Sequence, residues 1–572
     1  MRESFRQSMA WLHTWTGLLV GWVLFFVFLT GSTGYFDDEI TRWMQPERPL
    51  AVIAPPVAPA EGVARAQAFL EKAAPGAGRW SIGLPGGRGE TAWTLAWPSP
   101  ETGGDRPQRR ARGEHGEHRA RYFVFDPLAG TATPASSPFD GRATAGGVGL
   151  YRLHYQLHYV SHASAILIVG AAAMLMLLAI LSGVITHKKI FKDFFTFRPA
   201  KGQRSWLDMH NVISVTALPF FLMITYTGLM FFMYAYMPAA MNMAYGSGRQ
   251  WDNDGYSNPL NPRANGQFEP GSTERRRRHG RVAVEVSGVP APLTDLSRLI
   301  QRAQAHWNSG RIESVAVERP DDGRARVTIA RNKSGLIGGT DDHLTFDGVT
   351  GTLLDTPPPH ARRTWQVQDT MIALHEGLFA GPVLRWFYFA SGLLGCGMVG
   401  TGLVLWTVRR RQKQIKSART DYGFRLVECL NIAAIAGLPL GIAAYFWANR
   451  ILPATMEARA NWEFHSLFLA IGAMLLWASL RPSAKAWAEG LSLCATAYAL
   501  LPVLNALTTQ RHLGITIPAG DWALAGFDLT MLAIGALFLF AACKVSARQP
   551  TDGSRRKDES AMTTRPSAKV PA

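Results

Sequence analysis

The chain has 572 residues, of which 47% are hydrophobic, and it carries a net charge of +17. A charge of this size would suit a nucleic-acid-binding protein, but the basic residues flank apolar spans, so nucleic acid is excluded as a partner. The four cysteines, Cys396, Cys429, Cys494 and Cys543, all fall in or beside apolar spans. No disulfide framework and no thiolate metal site is therefore indicated, and the composition favours a membrane protein with large water-exposed parts.

The first apolar segment, at about 15–36, is too long for the core of a typical signal peptide. It also lacks a small-x-small cleavage site before Asp37, so it predicts a retained transmembrane helix. Seven further apolar segments are long enough to cross a bilayer as helices and to contact membrane lipid. They lie at about 163–186, 208–236, 383–408, 423–448, 462–480, 486–506 and 521–543. The predicted fold is a mainly α membrane protein with about eight transmembrane helices.

Lysine and arginine are concentrated in two short loops, one between the second and third spans and one after the fourth. The positive-inside rule places both loops and both termini in the cytoplasm, and the two long polar regions then lie in the periplasm. The predicted division is a first transmembrane helix (1–36), a first outer domain (37–150), a second helix (151–187), a cytoplasmic loop (188–207), a third helix (208–236), a second outer domain (237–372), a fourth helix (373–408), a cytoplasmic loop (409–422), a bundle of helices five to eight (423–543) and a cytoplasmic tail (544–572).

The two outer regions read as copies of one pattern. Each has a helix-like stretch (62–72 and 293–307) followed by alternating strand-like runs (91–97 and 324–330). Each ends in Asp-x-x-x-Gly, at Asp126 to Gly130 and at Asp347 to Gly351, between alternating apolar residues. This is turn chemistry in which glycine supplies a positive φ. Two small α+β domains are therefore predicted.

The repeat continues into the membrane spans. His13 and His210 each follow a tryptophan, and a Thr-Gly pair ends eighteen residues after each of them, at Gly31 and Gly228. The second and fourth spans are each preceded by Leu-His and carry Ser-Gly or Thr-Gly near their ends, at Gly183 and Gly402. Both halves start on the cytoplasmic side, so they are predicted to be parallel repeats about an axis along the membrane normal. Equivalent histidines could then face one another.

Seven histidines stand at the mouths of these spans. His154, His158 and His162 recur every four residues, which predicts one shared helix face. A b-type heme is held by two axial imidazoles, often from facing helices, and the second nitrogen of each needs a hydrogen-bond acceptor. The set predicts two stacked bis-histidine sites for heme b. The inner layer holds His13, His187 and His210, and the outer layer holds His154, His158, His162 and His375.

His13, His210 and His375 are the strongest candidates for axial ligands. His154 and His158 compete for the fourth place, for which His158 is selected, and His162 and His187 are held in reserve. Other histidines have weaker alternatives: a metal or anion site at His115 and His118, and a proton carrier or further ligand at His465, beside Glu463. No dinucleotide-binding or P-loop motif occurs, so electrons would have to come from a separate cytoplasmic or membrane donor.

Taken together, these motifs resemble the PepSY-associated transmembrane helix proteins. The resemblance covers about residues 5–410 and rests on four motifs: Trp11-Leu-His13-x-x-x-Gly17, Leu153-His154-Tyr-Gln-Leu157-His158, Trp206 to His210, and Leu374-His375-Glu-Gly377. It implies an inner-membrane protein of Gram-negative bacteria with periplasmic PepSY domains, and iron release by reduction of ferric siderophores. The chain departs from the pattern in spans five to eight and in having Ser214 where the first repeat has Gly17.

The expected function is a membrane cytochrome with two hemes b that reduces a periplasmic acceptor, a ferric siderophore or another ferric chelate. Two alternatives belong to other classes. One is a permease for an iron chelate or other solute, with histidines as substrate or proton sites, for which Pro219 within the third span is a hint. The other is a regulatory PepSY protein that binds a periplasmic partner and needs no cofactor.

Overall fold

A computed structural model gives the architecture of the chain as two compact bodies. The first comprises residues 1–406 with the short segments 453–460 and 514–524, and the second comprises 407–452, 461–513 and 525–572. The structure describes residues 2–547 apart from 49, 51–55, 87–90, 99–119, 136–140, 188–196, 200, 238–286, 309–310, 333–334, 338–342, 355–366, 368–369 and 418–420.

The polar part of the first body is one antiparallel sheet rather than two separate domains. Its strands are β1 (Arg79–Gly83), β2 (Trp93–Pro98), β3 (Ala120–Asp126), β4 (Thr131–Ala135), β5 (Ile312–Glu318), β6 (Arg326–Arg331) and β7 (His343–Asp347). They lie in the order β4-β3-β2-β1-β5-β6-β7. β1 pairs with β5, with Ser81 opposite Ala316, so the first strand of each copy forms the seam between the copies.

One helix from each copy covers the same sheet, α3 (Pro59–Ala73) and α9 (Leu296–His306). Their apolar sides bury a common core against the strands, including Leu70, Ile300 and Val315. Gln67 joins the two helices, because its side-chain oxygen accepts a hydrogen bond of 2.9 Å from the first backbone N–H of α9, that of Leu296. Each copy thus contributes one helix and its own strands, and the two copies share one core.

The turn chemistry read from the sequence is present in both copies. The side chain of Asp126 accepts from the backbone N–H of Leu128 at 2.9 Å, and that of Asp347 accepts from the N–H of Val349 at 3.0 Å. The glycine that closes each turn has a positive φ, 66° at Gly130 and 69° at Gly351. These positions require glycine because a left-handed backbone strains residues with a Cβ.

The helices of the first body form the membrane part of the two repeats. They are α1 (Arg2–Thr33), α2 (Asp37–Met44), α4 (Gly146–Gln156), α5 (His162–Thr186), α6 (Gln203–Thr216), α7 (Leu218–Phe231), α8 (Met233–Tyr236) and α10 (Pro382–Ser417), and residues 370–376 are also helical. α1 packs along α5 and α4, and α5 packs on α7. α1 also meets α10, since a Cβ at Gly395 would lie 2.5 Å from the ring of Phe28.

The third predicted span, 208–236, is a broken helix. α6 and α7 meet at a bend of 66° next to Ala217, and Pro219 occupies the first turn of α7. Proline has no N–H and its ring crowds the preceding turn, so it is accommodated at a helix start and not in an interior. The described residues contain seven helices able to cross a membrane, or eight if this bent pair is one span, which agrees with the predicted count.

The prediction that His154, His158 and His162 share one helix face is wrong. α4 ends at Gln156, and the next two residues, Leu157 and His158, have positive φ values of 48° and 31°. A new helix, α5, starts at His162, and Ser161 caps it by accepting a hydrogen bond from the N–H of Ser164. The left-handed turn redirects the chain, so four-residue spacing no longer keeps side chains on one face.

The second body is helical. It contains α11 (Tyr422–Ile432), α12 (Leu438–Ile451), most of α13 (Arg459–Leu480), α14 (Ser483–Ala499), α15 (Leu501–Thr508) and most of α17 (Trp522–Ser546). A short helix, α16 (Leu513–Thr516), belongs to the first body except for its first residue. A π-helical segment, Ala433–Gly437, joins α11 to α12 in front of Pro439. Single π-turns interrupt the regular hydrogen-bond ladder within a helix.

A chain of buried polar side chains ties four of these helices together. Arg450 donates from Nη1 to Asn449 Oδ1 at 2.6 Å and from Nη2 to Asn505 Oδ1 at 3.0 Å. Asn449 in turn donates to Glu463 at 2.7 Å, and Asn505 donates to Asp528 at 3.0 Å. Arg450 is 6% exposed and the other four residues are fully buried. Such groups are stable in an apolar interior only when they are paired.

We expect Arg450→Met to destabilise the second body strongly, by about 3–5 kcal/mol, because it leaves buried amide and carboxylate groups without their cation. The measurement is denaturant unfolding in detergent micelles. Arg481→Met is the matched control: Arg481 is well exposed and lies 3.5 Å from Glu489, so its loss should cost about 1 kcal/mol or less. Equal effects of the two substitutions would show that the buried chain of side chains is not stabilising.

Candidate functional site

Four of the seven predicted histidines meet as two pairs inside the first body. The rings of His13 and His210 have centroids 6.2 Å apart at an interplanar angle of 66°. Those of His154 and His375 are 6.0 Å apart at 44°. Each pair takes one histidine from each repeat, as the sequence predicted. We call His154 and His375, near the sheet, the sheet-proximal pair, and His13 and His210 the sheet-distal pair.

Every one of these histidines bonds through Nδ1 to a backbone carbonyl on the facing helix of its own repeat. His13 bonds to Ala179 O at 2.8 Å and His154 to Val27 O at 2.7 Å. In the second repeat the bonds are His210 to Met398 O at 2.9 Å and His375 to Ile224 O at 3.1 Å. A carbonyl only accepts, so Nδ1 carries the proton and Nε2 carries the lone pair. A neutral imidazole in this tautomer is a metal ligand.

A glycine lies against each ring, four residues after the accepting carbonyl. A Cβ at Gly31 would lie 2.5 Å from Nδ1 of His154, and one at Gly228 would lie 2.9 Å from Cε1 of His375. At Gly183 and Gly402 the corresponding distances to Cε1 of His13 and His210 are 3.0 and 3.3 Å. The Thr-Gly and Ser-Gly pairs of the repeat therefore mark where each ring rests on the facing helix.

The two pairs are well separated along the membrane helices. His13 belongs to the sheet-distal pair, and the carbonyl of Val27, fourteen residues later on α1, holds a ring of the sheet-proximal pair. At a rise of about 1.5 Å per residue this is about 21 Å. This separation is about two thirds of the thickness of a hydrocarbon core, which is about 30 Å.

The donor set fits an iron porphyrin. Two imidazoles that bind one metal ion through Nε2 at about 2 Å place their ring centroids about 6 Å apart, and both pairs have this spacing. No group of three or more His, Cys, Asp or Glu side chains able to hold a bare metal ion occurs in the described part of the chain. The two histidines of each pair would hold the iron of a heme through one ring nitrogen each, and the porphyrin would supply its remaining ligands.

The remaining predicted histidines lie outside the pairs. His158 is in the left-handed turn and packs on Tyr159, with centroids 4.6 Å apart, and His162 starts α5 beside the ring of Tyr155. His187 follows α5, and its Nε2 is 3.0 Å from the side-chain nitrogen of Asn211. The structure therefore places His154, rather than the preferred His158, opposite His375.

Of the two weaker candidate sites, the structure describes the one at His465 and not the one at His115 and His118. His465 packs edge-on against Trp462 at 5.3 Å, while the carboxylate of Glu463 belongs to the buried chain of side chains in the second body. His115 and His118 lie outside the described residues.

The accepting carbonyls and the contact role of the glycines were missed by sequence reasoning. A sequence does not show which backbone carbonyls accept hydrogen bonds. The Ser/Thr-Gly pairs were recognised only as features of the repeat, but each accepting carbonyl belongs to the residue three positions before the serine or threonine. Gly17 gave the opposite result: a Cβ there would have no neighbour within 4 Å, so this position makes no close helix contact.

Comparison with known proteins gives the family. A sequence profile described as the PepSY-associated TM region matches residues 10–409, which is more than half of the chain and contains both histidine pairs. The chain belongs to the PepSY-associated transmembrane family. A relative in Pseudomonas aeruginosa, named only as an uncharacterized protein, is 26% identical over 409 residues, which is 68% of this chain and 92% of the relative. The family match ends before α11, so it leaves out most of the second body.

Proposed function

We propose that this chain is an inner-membrane cytochrome that holds two hemes b and moves electrons across the membrane to a periplasmic ferric chelate such as a ferric siderophore. The observation that carries the proposal is the repeated geometry of the two histidine pairs. Two histidines meet at about 6 Å in each pair, and all four have Nδ1 engaged by a carbonyl.

The chain contributes ligands, orientation and burial. Each carbonyl fixes one tautomer of its imidazole and leaves the lone pair on Nε2, and each glycine allows the ring to rest directly on a helix. Bound heme would supply one-electron redox chemistry at each pair. No side chain has to act as a general acid or base for such a transfer.

Charge placement supports a direction of transfer from the cytoplasm to the periplasm. Arg6, Arg204 and Arg409 lie at the helix ends on the side of the sheet-distal pair. The positive-inside rule assigns that side to the cytoplasm, which leaves the sheet and the sheet-proximal pair on the periplasmic side. The donor would then be cytoplasmic or membrane-bound, and the acceptor would meet the sheet-proximal pair.

The test is an absorption spectrum of the purified chain, oxidised and reduced with dithionite, with heme counted as pyridine hemochrome. We expect a reducible low-spin b-type spectrum and two hemes per chain. Addition of a ferric siderophore to the reduced protein should restore the oxidised spectrum. A colourless protein from heme-replete cells would contradict the cytochrome, and a reduced protein that ferric chelates leave unchanged would contradict the acceptor.

One observation favours a second candidate, a permease. α6 and α7 meet at a sharp bend, and transporters build solute sites from broken helices near the membrane midplane. The bend lies between His210, a member of the sheet-distal pair, and Ile224, whose carbonyl accepts from His375 of the sheet-proximal pair. Uptake of an iron chelate by vesicles that contain heme-free protein would support the permease.

A further inference from the structure

The two repeats differ in how they hold their histidines. In the second repeat a threonine hydroxyl lies beside each bonded Nδ1: Thr227 Oγ1 is 3.2 Å from His375, and Thr401 Oγ1 is 3.2 Å from His210. In the first repeat Thr30 and Ser182 stand at the same place before glycine. Within the described residues their hydroxyls bond only to helix carbonyls, at 2.7 and 3.4 Å for Thr30 and 3.1 Å for Ser182.

The direction of these bonds follows from the hydroxyl protons. Thr401 donates to Gly397 O at 2.7 Å and Thr227 donates to Met223 O at 2.8 Å. Each hydroxyl has one proton, so towards the histidine it accepts. The Nδ1–H of His210 and of His375 is therefore shared between a carbonyl and a hydroxyl.

The carbonyl distances agree with this sharing. In the second repeat they are 2.9 and 3.1 Å, whereas in the first repeat, where the carbonyl is the acceptor, they are 2.8 and 2.7 Å. Thr227 and Thr401 are 2% and 7% exposed. Water therefore does not readily replace either hydroxyl.

We propose that Thr227 and Thr401 are positioning residues that set the reduction potential at the sheet-proximal and sheet-distal pairs, respectively. The proposal rests on the proposed function. An acceptor at the Nδ1–H makes the imidazole a more basic ligand, which stabilises ferric over ferrous iron and lowers the potential. In each pair, the histidine of the second repeat therefore has a threonine hydroxyl that tunes its basicity. The histidine of the first repeat has only its carbonyl acceptor.

The experiment is a spectroelectrochemical titration of five single variants of the full chain. Thr227→Val and Thr401→Val remove the hydroxyl and keep the side-chain shape, and we expect each to raise one midpoint potential, a different one in each variant. Thr30→Val and Ser182→Ala remove hydroxyls at the equivalent places that do not contact histidine, so both potentials should stay at their wild-type values. Thr401→Ser keeps the hydroxyl and should titrate as wild type.

Three results would overturn the proposal: no shift in either threonine variant, a shift to lower potential, or equal shifts in the two control variants. Heme content measured on each sample shows that the sites are filled. The outcome is separable from that of the proposed function. A wild-type chain without heme removes the cytochrome itself, whereas a two-heme chain with unmoved potentials removes only the role of the threonines.

Discussion

Replacement of His375 by alanine is expected to lower the heme content from two to one per chain. The same loss is expected for His13→Ala, His154→Ala and His210→Ala, because each pair needs both imidazoles and the two pairs lie about 21 Å apart along the helices. His13 with His210, and His154 with His375, should behave as pairs: the two variants of one pair should lose the same spectral component. The quantities to measure are the heme content of each variant, as pyridine hemochrome, and the α-band of its low-temperature absorption spectrum.

The histidines outside the pairs provide the controls. His158→Ala, His162→Ala and His187→Ala should keep two hemes, since these side chains contact Tyr159, Tyr155 and Asn211. The decisive comparison is between His154 and His158, four residues apart. Loss of heme from His158→Ala with full retention in His154→Ala would show that the ligand is His158 and not His154.

Gly31→Ala is expected to abolish heme binding at the sheet-proximal pair although it adds only one methyl group. That methyl would lie 2.5 Å from Nδ1 of His154, closer than van der Waals contact allows. The ring would have to leave the carbonyl of Val27 to make room, and its position opposite His375 would be lost. Gly228→Ala should act in the same way on His375, where the distance is 2.9 Å. Heme content and the reduced spectrum report the result.

Gly17→Ala is the matched control on the same helix, because a Cβ there meets nothing within 4 Å. It should keep both hemes, and alanine should favour the helix by about 1 kcal/mol over glycine. Gly31→Ala with two hemes and a wild-type spectrum would mean that the ring of His154 does not rest on α1.

The sequence predicted the parts of the fold that depend on local pattern. The number of apolar spans long enough to cross a bilayer predicted the number of membrane helices. The Asp-x-x-x-Gly motifs predicted the turns at Asp126 and Asp347. The pairing of β1 with β5 was not predictable, because it joins Ser81 to Ala316, and no local pattern encodes a contact over such a distance along the chain. For the same reason, the sequence did not show that the two copies share one core.

For the site, the repeat predicted that each pair draws on both halves, and it identified His13, His210 and His375 among the paired residues. The choice between His154 and His158 failed because it depended on where α4 ends. Leu157 is not a residue that favours a left-handed backbone, so nothing at that position marked the break. Ser161 was a better sign, because serine is a preferred N-cap residue, and a cap at Ser161 places the start of α5 after His158.

The seam between β1 and β5 and the composition of the histidine pairs have a common evolutionary consequence. A polypeptide with a single repeat would contain one imidazole of each pair and one edge of the seam, so it could complete neither pair as a monomer. Two identical copies related by a twofold axis would complete both pairs and close the sheet at once. The present chain has the connectivity expected of a fused homodimer, and in one chain the two halves can differ in sequence. The hydroxyls of Thr227 and Thr401, which contact histidine in one half only, are such a divergence.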